Sequence, residues 1–293
     1  MQNATPWCDF DRTVVETAHG PLYVRQAGQG RPLLLLHGFP QTGHTFRDIA
    51  PALSKEFKVV VPDLPGYGRS PGPAAKDDGT PFDKRSVARS MAALMSELGD
   101  ERFLLLGHDR GARVAYRLAL DMPERVQGLV SLDTVPTVTV WEGMTYQSAV
   151  AGFHWPLLAQ PRAVVLPILA GASDAFIGHL LDHWAHIPLS PDARERYLAA
   201  YRQKAVQEGA WADYRAGVGP DLAADIADRT AGRKLQCPLL VPYGRYYTKS
   251  DPAAAWADFA DDVRSVPLDC GHFIAEEAAE SLLPLLMKFF QNI

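Results

Sequence analysis

Phe103-Leu104-Leu105-Leu106-Gly107-His108-Asp109-Arg110-Gly111-Ala112-Arg113 is the stretch on which the reading of this chain turns. The apolar run Phe103–Leu106 fits a short strand buried on both faces of a sheet. Gly111–Met122, which follows, has the apolar spacing of a helix. Between the two lies Gly-x-Asp-x-Gly. At so tight a strand-to-helix turn the flanking positions must be small, and the central side chain, Asp109, is left protruding. Alone the pattern is weak, because such turns arise by chance and Asp is a common helix cap.

Outward from this turn, strand and helix patterns alternate. Thr13–Thr17 and Leu22–Gln26 flank a His-Gly-Pro turn and read as a hairpin. Leu33–Leu36, Lys58–Val61 and Val126–Leu132 read as buried strands, and Phe82–Leu98 as a helix with Val87, Met91, Leu94 and Leu98 on one stripe. This alternation implies right-handed crossovers and an α/β class, with a mostly parallel, doubly wound sheet. The rhythm breaks after Asp133. Thr134 to Arg229 shows no convincing buried strand but holds Trp141, Trp155, Trp184, Trp211 and helix-like segments. Strand and helix signals resume at Pro238–Tyr243, Asp251–Phe259, Val263–Val266 and a final amphipathic Ala275–Phe290. The expected organisation is one sheet domain, residues 1–133 and 230–293, interrupted by a helical cap, residues 134–229.

Composition removes several classes of function. The 293 residues suit one large or two modest domains. With 47% hydrophobic and 22% charged residues, the chain has an ordinary globular balance. A net charge of -5 is too small for charge-driven disorder and has the wrong sign for a nucleic-acid partner. Cys8, Cys237 and Cys270 cannot build a disulfide framework, so a reducing cytoplasm is the expected location. The N-terminus lacks the basic start and apolar stretch of a signal peptide. No apolar run approaches the ~20 residues of a membrane helix; the longest, Ala163–Ala172, contains Pro167. Neither a membrane nor a nucleic acid is an expected partner.

Three companions strengthen the elbow. His37-Gly38-Phe39-Pro40 follows the strand Leu33–Leu36, Asp63-Leu-Pro-Gly-Tyr-Gly-Arg-Ser70 follows Lys58–Val61, and Gly271-His272-Phe273 follows the last strand. With these, the chain resembles the α/β-hydrolase superfamily along nearly its full length. An Asp at the elbow is similar to the haloalkane dehalogenase, epoxide hydrolase and haloacetate dehalogenase branches. In those branches the carboxylate attacks carbon, and water hydrolyses the resulting ester. The first two usually carry Trp after the nucleophile. Here Arg110 follows, and Asp-Arg-Gly-Ala-Arg resembles the fluoroacetate (haloacetate) dehalogenases. Ala112 is a departure, standing where a second glycine is common, but it is nearly as small.

The resemblance implies a cofactor-independent enzyme without a metal that acts on a small anionic substrate, releases halide and is often a homodimer. Asp109 is then the nucleophile and His272 the base. Asp133 is the acid that orients His272, and the amides of Phe39 and Arg110 form the oxyanion hole. Arg110 and Arg113 bind the substrate carboxylate. His154 and Trp155, in Gly-Phe-His-Trp-Pro, and Tyr214, in Trp-Ala-Asp-Tyr-Arg, resemble the halide-binding positions. The expected reaction is hydrolytic dehalogenation of a small 2-halo acid, such as a haloacetate, to the 2-hydroxy acid.

Elementary physics supports the arginines independently. Two arginines in the first turn of a helix meet the positive end of its dipole, and a bound anion would reverse the sign of that interaction. Arg is also well shaped to grip a carboxylate. Each position has a plainer reading too. Arg113 could pair with a local Asp, and Asp133 could cap the insertion. Trp155 and Tyr214 could be cap core. Asp251 competes with Asp133, yet Pro252 behind it already explains it as a helix cap. His37 and His108 are expected to steady loops. His179, His183 and His186 could line one helical face, but no Glu completes a metalloprotease motif, and an ordinary helix is expected. Two alternatives remain: an epoxide hydrolase drawing two tyrosines from Tyr146, Tyr197, Tyr201 and Tyr214, and a non-catalytic ligand-binding member of the fold, which would show a degraded triad.

Overall fold

The structure, a computed structural model, describes residues 6–293. Strands β1 (Asp11–Val15), β2 (Leu22–Ala27), β3 (Arg31–Leu36), β4 (Phe57–Pro62), β5 (Phe103–His108), β6 (Val126–Leu132), β7 (Leu239–Gly244) and β8 (Val263–Leu268) form one eight-stranded sheet, ordered β1-β2-β4-β3-β5-β6-β7-β8. The β1–β2 hairpin pairs Val15 with Leu22, and β2 also runs antiparallel to β4. Every later pairing is parallel. Strand β5 is central, with Leu105 between Leu34 of β3 and Leu129 of β6.

Helices α1 (Ala50–Leu53), α2 (Lys84–Glu97) and α3 (Arg110–Asp121) accompany the first strands. Between β6 and β7 come α4 (Thr137–Glu142), α5 (Tyr146–Ala151), α6 (His154–Leu158), α7 (Arg162–Trp184), α8 (Pro191–Tyr201), α9 (Lys204–Val218) and α10 (Pro220–Thr230), with no strand among the described residues. Helices α11 (Ile274–Glu277) and α12 (Ala279–Gln291) close the chain. The expected final helix is therefore two, split at Ala278 (φ -135°, ψ 32°), and the Asp251–Phe259 stretch holds only a short 3-10 helix, Pro252–Trp256.

The period of two in a strand divides the core. Leu34, Leu36, Leu105 and Leu129 pack with Met91 and Leu94 of α2 and Val114 and Leu118 of α3. Leu33, Leu35, Leu104, Leu106 and Val130 pack on the other side with Leu53 of α1 and Leu282, Leu286 and Phe290 of α12. Burial on both faces explains why these strands are continuous apolar runs rather than alternating ones.

One helix is longer than its apolar run suggested. Helix α7 spans 23 residues, and its most apolar 18 have a mean hydropathy of 1.7, long and apolar enough to cross a membrane by length and composition. The apolar run breaks at Ser173 and Asp174, but the helix continues through Pro167 and on to Trp184, with a kink at Ala172. Its Val165, Leu169, Ile177, Leu180, Leu181 and Trp184 are buried in the protein core.

Helix α3 joins the sheet to the inserted helices through charge. Arg110, Arg113 and Arg117 occupy one stripe and all are buried. Arg117 pairs with Asp228, Arg110 with Asp213, and Tyr116 donates to Asp225 at 2.8 Å. Buried Lys84, opening α2, pairs with Asp213 and, at 3.5 Å, with Asp221. The acids come from α9 and α10, and their partners from α2 and α3.

Candidate active site

The elbow between β5 and α3 is built by the absence of side chains. A Cβ on Gly111 would lie 2.3 Å from the carbonyl oxygens of Leu36 and His37, and one on Gly107 would lie 2.5 Å from Ala112 Cα. On the opposing loop, a Gly38 Cβ would meet Asp109 Cβ at 2.5 Å. Asp109 itself adopts φ 46°, ψ -115°, a left-handed φ that a non-glycine residue holds only when its surroundings over-determine it. The result is a side chain aimed away from the helix it begins.

Asp109 Oδ1 accepts the Phe39 N–H at 2.8 Å. The amide of Arg110 opens α3, where an N–H has no intrahelical acceptor. Asp109 Oδ2 lies 4.0 Å from His272 Nε2. On its other side His272 donates from Nδ1 to Asp133 Oδ2 at 2.6 Å, leaving Nε2 buried and without a hydrogen-bond partner among the described residues. Asp133 Oδ1 accepts from the Gly244 N–H at 3.1 Å and from the Thr248 hydroxyl at 2.8 Å. Asp251 instead accepts from Ala253 N–H at 2.9 Å on the surface, the helix-cap role its following proline suggested. Of the two acids, it is Asp133 that reaches His272.

Burial disfavours charge on Asp109, but the positive field of His272, Arg110 and Arg113 outweighs it and holds the carboxyl below its usual range. For His272 burial is likewise outweighed, here by the hydrogen bond and charge of Asp133 with help from Asp109, so its pKa is raised. His37 and His108 serve the loops. His37 donates from Nδ1 to Gly38 O and accepts the Leu64 N–H at Nε2, both at 3.0 Å. His108 Nε2 donates to the His272 carbonyl at 2.9 Å, and burial pushes its pKa down to about 3. Asp63 ties the following loop, accepting from Gly43 N–H at 2.8 Å and Arg69 N–H at 2.9 Å.

The two arginines differ. Arg110 spends Nε (2.8 Å) and Nη2 on Asp213 Oδ1, and Nη2 also reaches the Asp213 carbonyl at 2.9 Å. Arg113 donates from Nη1 to Val135 O at 2.8 Å and to Thr137 Oγ1 at 3.1 Å, and forms no ion pair among the described residues. Arg110 Nη1 and Arg113 Nε are buried and have no partner among the described residues. Asp213 outweighs burial and raises the Arg110 pKa, whereas burial lowers that of Arg113.

His154 and Trp155, on α6, meet Tyr214, on α9. Their ring centroids lie 5.7 Å (His154–Tyr214) and 5.6 Å (Trp155–Tyr214) apart. The Arg113 guanidinium lies 4.7 Å from the Trp155 ring and that of Arg110 4.3 Å from Tyr214. His154 stacks on Phe39 at 6.4 Å, its pKa is pushed down to about 3 by burial, and its Nδ1 is another buried atom without a partner among the described residues. Of the four candidate tyrosines, Tyr146 is 78% exposed and Tyr197 donates to Glu276 at 3.2 Å. Tyr201 and Tyr214 both meet Phe39 edge-on, at 5.5 and 5.1 Å. His179 and His183 stack on the exposed side of α7, and His186 lies against Tyr246 at 3.8 Å.

Three site residues escaped the sequence reading. Asp213 sits beside Tyr214, and an acid between Trp211, Ala212 and Tyr214 on a buried helix was a signal available in the sequence. Trp184, 4.6 Å from His154, and Tyr247, 4.4 Å from His272, arrive from distant segments and carried none. Asp109, Arg113, His154, Trp155 and His272 all line one cavity of about 370 Å³.

The alpha/beta hydrolase fold family matches residues 31–279, and the chain belongs to that family. A fluoroacetate dehalogenase from Burkholderia sp is 34% identical over 97% of this chain and 94% of its own length. A soluble epoxide hydrolase from Corynebacterium sp. (strain C12) is 30% identical over 90% of this chain and 91% of its own. A crystal structure from Nostoc sp PCC 7120, assigned to the alpha/beta hydrolases, superposes with a TM-score of 0.94 at 37% identity, covering 98% of this chain and 100% of that one. The chain is thus a hydrolase of the α/β family.

Proposed function

We propose that the protein hydrolyses a 2-halo acid to the 2-hydroxy acid through an ester on Asp109. The carrying observation is the two buried guanidinium atoms, Arg110 Nη1 and Arg113 Nε, that have no partner among the described residues, next to Asp109, whose carboxyl is held below its usual range. An unsatisfied buried donor costs about 1–3 kcal/mol, more when charged, and a substrate carboxylate would satisfy that of Arg113, which lines the cavity with Asp109. Arg113, with no ion pair among the described residues, supplies the larger share of that attraction.

In the first step Asp109 Oδ2 attacks C2 while the carbon–halogen bond breaks. The electron pair leaves with the halide, which accepts hydrogen bonds from His154, Trp155 and Tyr214. In the second step His272 Nε2 takes a proton from water, whose oxygen adds to the Asp109 carboxyl carbon. The oxyanion forms on Oδ1, already at 2.8 Å from the Phe39 amide, with the Arg110 amide as second donor. Collapse breaks the ester bond, the alkoxide takes the proton back from His272, and Asp109, left with the water's second proton, loses it to solvent because its pKa is held low. Asp133 keeps Nδ1 protonated so that Nε2 can act as base. The inserted helices act as the cap that supplies the halide donors.

Release of fluoride or chloride from haloacetates by the purified protein, lost in Asp109→Ala, tests this reading. A single turnover in heavy-oxygen water should leave the label in Asp109. An epoxide hydrolase is the second reading, favoured by Tyr201 and Tyr214 flanking Phe39. Styrene oxide consumed without any halide released from haloacids would make it the better one. A neutral epoxide, however, gives the unpartnered guanidinium atoms nothing to bind.

A further inference from the structure

We infer that the preferred substrate is a 2-halo acid with an apolar C2 substituent of at least three carbons, rather than a haloacetate. This rests on the dehalogenase reading above and names the substrate class of that site.

The cavity holding Asp109 and His272 measures about 370 Å³. Pockets of roughly 300–1,000 Å³ take drug-sized ligands, whereas a haloacetate has only a handful of heavy atoms. The reacting carbon is constrained on three sides. Its carboxylate goes to Arg113, the arginine that lines the cavity, its halogen to His154 and Trp155, and Asp109 must approach opposite the halogen. What remains of C2 is two further bonds, both to hydrogen in a haloacetate. Part of the remaining wall, Val135, Val140, Pro252 and Ala255, is apolar, and Thr139, Thr248 and Ser250 beside it are polar but uncharged. The carboxylate of Asp251, which also lines this cavity, is already engaged by the Ala253 amide. A substituent on C2 is the only part of the substrate free to occupy that arm. A haloacetate would leave that part of the cavity to water and would forgo the transfer of apolar groups out of solvent. Each methylene buried there improves kcat/KM by about fourfold.

The test is chloride release from racemic 2-chloropropanoate, 2-chlorobutanoate and 2-chloropentanoate, all secondary chlorides of similar intrinsic reactivity. The wild-type kcat/KM should rise roughly fifteenfold from the first to the third, as two buried methylenes predict. Ala255→Phe and Val140→Phe, which fill the arm from the 3-10 helix and from α4, should each reverse that order. Circular dichroism and melting temperature identify a variant that fails to fold, and the wild-type series stands without either. A wild-type series that is flat or falls with chain length, while chloroacetate is consumed, overturns this inference alone. No chloride from any of these acids overturns the dehalogenase reading with it. An order left unchanged in both folded variants also counts against the arm.

Discussion

At the elbow, position is enforced by backbone; in the inserted helices it is enforced by side chains. Asp109 points where it does because Gly107, Gly111 and Gly38 sit where no Cβ fits. His154, Trp155 and Tyr214 hold their places by ring contacts and through Asp213, which grips Arg110 beside them. The first device is all-or-none, since a carbonyl oxygen cannot move aside. The second is graded, because rings can be exchanged one at a time. Chemistry common to the whole family belongs on the first. Selection among leaving groups and substituents belongs on the second.

That contrast can be broken at three places. The largest effect is expected at Asp133→Asn, on the rigid side. It should lower kcat on the order of 10²–10⁴-fold, because Asn no longer fixes the His272 tautomer. The pH profile gives the sharper readout. Asp133 raises the His272 pKa, and only unprotonated His272 is a base, so wild-type activity falls as pH drops through that raised value. In the variant the fall should move to lower pH; a limb that stays in place would remove Asp133 from the mechanism.

Next comes Asp213→Asn, at the junction of the two regions. It strips the counter-charge from buried Arg110 and Lys84, and urea unfolding should show a loss of about 3–5 kcal/mol. Arg194→Ala, which breaks an exposed pair with Asp182, should cost at most about 1 kcal/mol. Equal losses would mean that the buried seam does not hold the regions together. The smallest effect is expected at Trp155→Phe, which removes one proposed halide donor and keeps the ring. A charge-assisted bond of about 1.5–3 kcal/mol corresponds to a tenfold to hundredfold drop in kcat. Fluoride release should suffer more than bromide release, since fluoride is the stronger acceptor. An equal loss for both would assign Trp155 to packing.

Legibility in the sequence followed the same division. The strands Leu33–Leu36 and Phe103–Leu106 are visible because double-sided burial leaves uninterrupted apolar runs, and the elbow because its glycines are obligatory. Asp109, Asp133 and His272 each follow a strand, so the sheet brings them together and their placement could be anticipated. Asp213 is flagged in the sequence only by its apolar neighbours Trp211, Ala212 and Tyr214, and its partners Lys84, Tyr67 and Arg110 come from distant segments. Trp184 and Tyr247 reach His272 only through the path of the chain in space. The length of α7 was hidden because Pro167, Ser173 and Asp174 interrupt the apolar run without ending the helix.

The charged stripe on α3 also bears on the order in which the chain can be made. Arg110 and Arg117 leave the ribosome well before Asp213 and Asp228, their counter-ions, have been translated. Leu129 of β6 likewise waits for Leu239 of β7 with the entire insertion between them. A nascent chain ending at β6 therefore has a central helix whose cations cannot be sealed from water, and a sheet with an open edge. The insertion divides the sheet in the gene, yet it is the part whose arrival lets the sheet close.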